Sequence, residues 1–195
     1  MRQSSSDITG LLFGSFNPVH NGHLIIANHL LQHTDIRNVW FVLSPQNPFK
    51  TGEKMLSDER RLELLKLAVS DNKNFHACDI ELTMPVPSYT VHTLKKLQGL
   101  YPSQRFVLMI GSDNLAAFDR WKDYEELLSL AEIYVYPRLE ANDSPFLSHP
   151  SVTLVDAPRI DISSTQIRED LRAGREPRYL LPDKVLQKII ENNYY

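Results

Sequence analysis

Several features that define whole classes of protein are scarce in this chain of 195 residues. One cysteine, Cys78, excludes an intrachain disulfide and a four-thiolate metal site. No apolar run is long enough to cross a bilayer, and the Ser-rich first residues lack the apolar core of a signal peptide. The net charge of -3 and the pI near 6.2 argue against duplex nucleic acid as the main partner. We therefore expect a cytoplasmic globular protein with no membrane and no nucleic-acid partner.

The overall composition is that of an ordinary folded protein. Hydrophobic residues make up 42% of the chain and charged residues 23%, which rules out wholesale disorder. The length is sufficient for one substantial core. The sequence shows no internal repeat, no low-complexity tract and no linker, so we predict a single domain over residues 1–195.

Short apolar runs alternate with longer amphipathic ones along the chain. The predicted strands are Ile8 to Phe13, Asn38 to Leu43, Phe75 to Ile80, Arg105 to Ile110, Ile133 to Tyr136 and Val152 to Val155. The predicted helices are Asn21 to His33, Ser57 to Val69, Ser88 to Leu97, Trp121 to Ala131, Ser163 to Ala173, and one from Pro182 with an apolar stripe of Val185, Leu186, Ile189 and Ile190. This alternation predicts an α/β fold, a Rossmann-like doubly wound parallel sheet with helices on both faces. Such sheets bind ligands at the carboxyl ends of their strands.

The first unusual segment is residues 14–24, GSFNPVHNGHL, between the first strand and the first helix. Glycine lets a backbone approach a phosphate closely, and a helix start offers unpaired N–H groups. His20 and His23 face the same anion from that helix start. The sequence lacks G-x-x-x-x-G-K-[ST] and G-x-G-x-x-G, which weakens kinase, GTPase and dinucleotide-dehydrogenase interpretations. Taken alone, the two histidines also fit an incidental pair, or a zinc pair that lacks a third ligand.

The second unusual segment is residues 162–168, ISSTQIR, where a late helix should begin. Helix capping explains one of its three hydroxyl residues but not all three. Ser164 and Arg168 are four residues apart and therefore share a helix face. A hydroxyl-rich helix start with a basic residue one turn later predicts a second anion site.

Together the two segments resemble the nucleotidyltransferase superfamily, which carries [HT]-x-G-H after its first strand and an I-S-S-T-x-x-R-like motif before a late helix. Three further segments resemble the nicotinate mononucleotide adenylyltransferase family: residues 79–82 with 87–94 (DIEL, PSYTVHTL), residues 110–113 followed by Trp121-Lys122, and residues 45–50 (PQNPFK). The departures from that family's pattern are Phe13, Asn17, Phe49 and His92.

The resemblance implies adenylyl transfer from ATP to nicotinate mononucleotide, with magnesium accompanying ATP and no protein-held metal. It implies catalytic roles for His20, His23, Lys50 and Arg168. It implies ATP contacts from Gly14, Ser15, Phe16, His20, His23, Lys50, Gly111, Asp113, Ile162, Ser163, Ser164, Thr165 and Arg168. The residues implied to bind nicotinate mononucleotide are Ser88, Tyr89, Thr90 and Trp121.

Other functions stay open at this point. A pantetheine-phosphate adenylyltransferase or a cytidylyltransferase shares both phosphate motifs but not the Pro-Ser-Tyr-Thr and Gly-x-Asp…Trp segments. A non-catalytic nucleotide-binding regulator predicts tight ATP binding without pyrophosphate release, and a zinc-binding structural module is a third alternative. The partners we expect are ATP and the second nucleotide. A homo-oligomer is compatible with the sequence, which does not determine the oligomeric state.

Overall fold

The computed structural model describes residues 7–46, 55–138 and 144–195. Its strands form one parallel sheet in the order β3-β2-β1-β4-β5-β6. The strands are β1 (Ile8–Gly14), β2 (Ile36–Leu43), β3 (Phe75–Cys78), β4 (Arg105–Gly111), β5 (Glu132–Tyr136) and β6 (Val152–Leu154). The chain winds outward from β1 in one direction and outward from β4 in the other, so the order reverses between these two central strands. This is the switch point at which doubly wound folds open a crevice.

Helices cover both faces of the sheet, as the sequence predicted. They are α1 (Asn21–His33), α2 (Asp58–Val69), α3 (Thr90–Leu100), α4 (Ser112–Ala116), α5 (Tyr124–Leu130), α6 (Ser164–Arg172) and α7 (Asp183–Glu191). Apolar residues of α1, α2, α6 and α7 share one core with the sheet, whereas those of α3, α4 and α5 share the core on the other face. None of the helices in the described ranges is long and apolar enough to cross a membrane.

The central strands alternate between these two cores. Leu12 and Met109 pack with the first, and their chain neighbours Leu11 and Leu108 pack with the second. Successive side chains of a strand point to opposite faces, so a strand covered on both sides is apolar throughout. Each such side chain contributes roughly 1.5–3 kcal/mol through burial.

Several local predictions were wrong, among them the helix expected over Ser88–Leu97, which spans Thr90–Leu100. The third strand ends at Cys78 rather than Ile80, because the chain turns into a short 3-10 helix over Ile80–Thr83. The helix expected from Trp121 begins at Tyr124, because Asp123 adopts a left-handed backbone conformation (φ 51°) that interrupts it. Ile190, expected on the apolar stripe of α7, is 54% exposed. By contrast, α1 has the predicted bounds.

Candidate active site

The first segment singled out in the sequence lies at the carboxyl edge of the sheet. β1 ends at Gly14 and α1 begins at Asn21, and β4, which pairs with β1, ends at Gly111 directly before α4. Adjacent parallel strands bring their following loops together at one edge. The loop of residues 15–20 and the start of α4 therefore flank the crevice at the switch point.

The two histidines of this loop stack on each other. Their ring centroids lie 3.6 Å apart, and the His20 backbone N–H donates to Nδ1 of His23 across 3.2 Å. This bond makes Nε2 the nitrogen that carries the proton in a neutral His23. The ring of Phe16 meets His23 edge-on at 5.0 Å, and Phe16 itself is buried in a left-handed conformation (φ 43°). His23 is thus held from two sides.

His20 and His23 differ in burial and therefore in chemistry. His20 is 4% exposed, whereas His23 is half-buried. Burial, and secondarily the charge of Arg138, lowers the pKa of His20 to about 4. His20 is therefore an uncharged imidazole near neutral pH, able to donate a hydrogen bond but not to supply a cation.

The glycine between the histidines is required by close packing. A Cβ on Gly22 would lie 3.0 Å from Nδ1 of His20 and 3.1 Å from Cγ2 of Ile160. Both contacts are tighter than ordinary van der Waals separation, so any side chain at Gly22 would displace the His20 ring or the chain segment beside it.

The hydroxyl-rich start of α6 is attached to the same loop. Ser164 Oγ donates to the Pro18 carbonyl across 2.9 Å, and Arg168 Nη1 donates to the Asn17 carbonyl across 2.8 Å. Ser163 caps the helix by accepting from the Gln166 N–H at 3.2 Å. The two motifs, more than 140 residues apart in sequence, are therefore joined by direct hydrogen bonds.

The third hydroxyl of this group also has a partner of its own. Thr165 Oγ1 accepts from Nη2 of Arg168 at 3.3 Å. Arg168 is 5% exposed. Its guanidinium thus links the start of α6 to the loop that precedes the histidines.

A small pocket lies against the histidines, and it contains an arginine that the sequence reasoning missed. The pocket is lined by Leu12, His20, Gly22, His23, Ile26, Tyr136, Pro137, Arg138, Ile160 and Ile162. Arg138 follows the end of β5, and its backbone N–H donates to Ser112 Oγ at 2.9 Å. Its Nε lies 3.7 Å from Oδ2 of Asp113. A basic residue directly after a buried strand at the ligand-binding edge was the signal that could have identified it.

A larger cleft of about 490 Å³ opens beside this pocket. It is lined by Phe13, Gly14, Ser44, Glu81, Ser88, Tyr89, Thr90, Met109, Ile110, Asn114, Arg120, Trp121, Lys122, Leu127 and Tyr136. Four of these are the residues expected to bind the second nucleotide. Tyr136 lines the cleft and the histidine pocket alike, so the two spaces share a wall.

The cleft combines aromatic rings with cations. Lys122 Nζ lies 4.6 Å from the centroid of the Tyr89 ring, and Trp121 packs at 5.2 Å from Phe118. Arg120 lines the same wall. A flat, acidic ligand is suited to such a surface, because rings stack on aromatics and carboxylates pair with cations. Sequence reasoning selected Trp121 and Tyr89 and missed the two basic residues as site residues.

A second buried arginine holds the loops in place. Arg61 is fully buried, and its guanidinium donates to the carbonyls of Ser15, Ser44 and Pro45. It also forms an ion pair with Asp58. Arg61 thereby connects the ends of β1 and β2. Ser15, which was expected to contact ATP, therefore has its backbone carbonyl bonded to Arg61.

The remaining expected site residues are placed as follows. Gly111 caps α4, where a Cβ would lie 2.3 Å from Oδ1 of Asp113. Lys50 lies outside the described residues. Within the described ranges no group of three or more His, Cys, Asp and Glu side chains is arranged to hold a metal ion.

The arrangement suits the binding of phosphates. The start of α1, His23 and Arg138 line one pocket, and groups of these three kinds stabilise anions. A family model described as Cytidylyltransferase-like matches residues 11–170. The chain is a nucleotidyltransferase of that family.

Relatives and solved structures narrow the assignment. "Probable nicotinate-nucleotide adenylyltransferase" of Flavobacterium psychrophilum is 45% identical over 188 residues, covering 95% of this chain and 97% of the relative. The protein of the same name from Porphyromonas gingivalis is 46% identical over 185 residues, covering 94% and 93%. The chain belongs to the nicotinate-nucleotide adenylyltransferase family. The fold matches Plasmodium falciparum nicotinic acid mononucleotide adenylyltransferase complexed with NaAD, with TM-score 0.81, 18% identity and 97% of each chain covered.

Proposed function

We propose that this protein transfers the adenylyl group of ATP to nicotinate mononucleotide in the cytoplasm, giving nicotinate adenine dinucleotide and pyrophosphate. The observation that carries the proposal is the wall shared by the pocket of His20, His23 and Arg138 and the larger cleft with its aromatic and basic side chains. A polyphosphate lying against the histidines and a mononucleotide bound in the cleft would meet at this wall. The family relationship supports the same reaction.

The chemistry needs little beyond positioning. The attacking phosphate of the mononucleotide has a second pKa of about 6, so it is already ionised near neutral pH and needs no general base. Catalysis therefore consists of aligning two anions and neutralising the charge that develops on the α-phosphate and the leaving pyrophosphate. His23 Nε2–H and Arg138 supply a donor and a cation in the pocket, and neutral His20 supports the His23 ring. Lys50 is proposed to add a second cation.

The nicotinate end of the substrate belongs in the larger cleft. Trp121 would stack on the electron-poor pyridine ring, and Ser88, Tyr89 and Thr90 would frame its carboxylate. A carboxylate pairs with donors and cations that an amide NH₂ cannot satisfy, so these groups favour the acid over the amide.

Gly14, Gly111, Asp113 and the start of α6 are proposed to contact ATP. Mg²⁺ is proposed to accompany ATP, bound chiefly by phosphates and water, as is usual for this ion. When bound it would neutralise the triphosphate charge. Removal of Mg²⁺ with a chelator is expected to abolish turnover and to leave the fold intact.

Pyrophosphate release from ATP and Mg²⁺ tests the reaction, with nicotinate mononucleotide, nicotinamide mononucleotide and phosphopantetheine compared as acceptors. We expect the highest kcat/KM with the nicotinate compound. Faster release with phosphopantetheine would assign a different adenylyltransferase. Tight ATP binding with no release for any acceptor would identify a non-catalytic nucleotide-binding protein.

A further inference from the structure

Glu81 is a carboxyl buried at the wall of the larger cleft and unused by the proposed mechanism. It lies in the short 3-10 helix after β3, is 1% exposed, and lines the cleft together with Ser44 and Ser88. Its Oε1 lies 2.7 Å from Thr93 Oγ1, whereas its Oε2 and the Ser88 hydroxyl are buried without a partner in hydrogen-bond geometry. A buried ionisable group in a ligand cleft is unusual enough to require an explanation.

The contacts of Thr93 indicate which protonation state of Glu81 completes the hydrogen bonding. Thr93 Oγ1 lies 2.7 Å from Glu81 Oε1 and 3.3 Å from the Tyr89 carbonyl oxygen, and Thr93 is fully buried. A hydroxyl has one hydrogen, so beside an ionised Glu81 it donates to Oε1, and the Tyr89 carbonyl keeps only the N–H groups of His92 and Thr93 as donors. With a protonated Glu81, the carboxyl donates to Thr93 and Thr93 donates to Tyr89. Both contacts are then hydrogen bonds.

The energetics of burial favour the same state. Burial raises the pKa of Glu81, and the hydrogen bond with Thr93 only partly offsets that rise, since Oε2 and the Ser88 hydroxyl lie in the cleft wall without forming a hydrogen bond. An unpartnered Oε2 also costs much less on a neutral carboxyl than on a carboxylate. The chain of hydrogen bonds therefore runs from Glu81 through Thr93 to the backbone of Tyr89.

Tyr89 is the residue at which this chain ends, and it is central to the cleft. It is the N-cap of α3, and its carbonyl also accepts from the N–H groups of His92 and Thr93. The ammonium group of Lys122 lies over its ring. We propose that Glu81 is a positioning residue for the acidic pyridine substrate: through Thr93 it fixes the Tyr89 backbone, and with it the start of α3 and the Tyr89–Lys122 pair. This inference rests on the proposed function.

Matched variants of the two relay residues test the inference by steady-state kinetics. Thr93→Val removes the hydroxyl at nearly constant volume and is expected to raise the KM for nicotinate mononucleotide about fivefold, the effect of one lost hydrogen bond. The KM for ATP should stay within twofold of wild type. Thr93→Ser keeps the hydroxyl and should restore the wild-type value. Glu81→Gln, neutral and able to donate, should behave like wild type, whereas Glu81→Ala, which leaves the Thr93 hydroxyl bonded to Tyr89 but removes its second partner, should raise the KM for nicotinate mononucleotide by less than Thr93→Val does.

Thr34→Val is the control for the loss of a threonine hydroxyl. Thr34 Oγ1 donates to the Leu30 carbonyl at the far end of α1, away from the cleft. Its replacement should leave the KM for nicotinate mononucleotide unchanged. Unfolding free energies measured in urea establish that each variant is folded, and if Glu81→Ala does not fold, the Thr93 pair decides the question.

Two results would overturn the inference in an active wild-type enzyme. The first is a Thr93→Val variant with an unchanged KM for nicotinate mononucleotide, and the second is an equal rise in both KM values. Glu81→Gln as impaired as Glu81→Ala would show that an ionised carboxylate is needed and would overturn it too. If wild type releases no pyrophosphate, the proposed function fails. Calorimetric binding of nicotinate mononucleotide to wild type and Thr93→Val then tests the positioning role by itself.

Discussion

At the scale of single residues, identical side chains in one motif have different properties. His20 and His23 are three residues apart and stacked, yet one is buried and uncharged while the other is half-buried with its Nδ1 already occupied. The difference arises from depth and from Arg138, which lies after a different strand. Nε2 of His23 is consequently the donor that we expect nearest the reacting phosphate.

Replacement of His23 by alanine tests that expectation. Loss of one preorganised donor to a transition state typically costs on the order of 10²–10³ in rate, so kcat should fall by that factor. Stopped pyrophosphate assays at saturating substrates measure it. His33→Ala, which removes an exposed imidazole from the other end of α1, serves as the control and should keep the wild-type kcat. Near-normal turnover in His23→Ala would remove His23 from the chemistry.

At the scale of elements, α6 owes its position to hydrogen bonds with a loop far away in sequence. Each of its three hydroxyl residues makes a different hydrogen bond. Ser163 caps the helix, Ser164 donates to the Pro18 carbonyl and Thr165 accepts from Arg168. A capping bond stabilises the helix itself, whereas the bond to Pro18 holds the loop against the helix. The two kinds of bond should therefore be separable by mutation.

The pair Ser163→Ala and Ser164→Ala separates them. Each variant should lose about 1 kcal/mol of unfolding free energy, from the cap in one case and from a partly buried hydrogen bond in the other. Only Ser164→Ala removes a hydrogen bond between α6 and the loop of residues 15–20, so it should raise the KM for ATP several-fold more than Ser163→Ala does. Urea unfolding measures the unfolding free energies, and initial rates at varied ATP concentrations measure the KM values. Equal KM values in the two variants would contradict the docking role of Ser164.

At the scale of the whole molecule, the switch point places the site where two halves of the sheet diverge. Residues from β1, from the end of β5 and the loop after it, and from the segment before α6 line the pocket of the histidines, so parts of the chain that are distant in sequence bury that site together. A change of protonation there is therefore coupled to the stability of the whole protein.

We expect acid to destabilise the fold through His20. Its pKa is about 4 in the folded protein against 6.5 when unfolded, so the unfolded chain takes up the proton first as pH falls. The stabilisation from neutral His20 is complete above pH 6.5 and is lost as the pH falls toward 4. It should amount to about 2 kcal/mol between pH 7 and pH 5. His20→Gln cannot titrate, so between pH 7 and pH 5 its unfolding free energy should fall by about 2 kcal/mol less than that of wild type. If the unfolding free energies of the two proteins fall equally with pH, His20 is not the cause.

The sequence alone determined the order of the strands and of the helices other than α4, the bounds of α1 and the doubly wound fold class, and the fold confirms them. These features follow from periodicity and from residues at helix starts, which act over a few positions along the chain. The sequence also drew attention to residues 14–24 and 162–168, whose catalytic and binding roles remain predictions.

Only the tertiary structure decided which groups meet and in what state. The periodicity of the sequence does not reveal three of these contacts. They are Arg138 beside the histidines, Arg61 bonded to the loops, and the Glu81 carboxyl bonded to Thr93. Charge and hydrogen bonding depend on burial and on neighbours that are distant in the chain, so they exist only once the sheet has assembled. For the same reason the neutral form of His20 could not be predicted from its place in the motif.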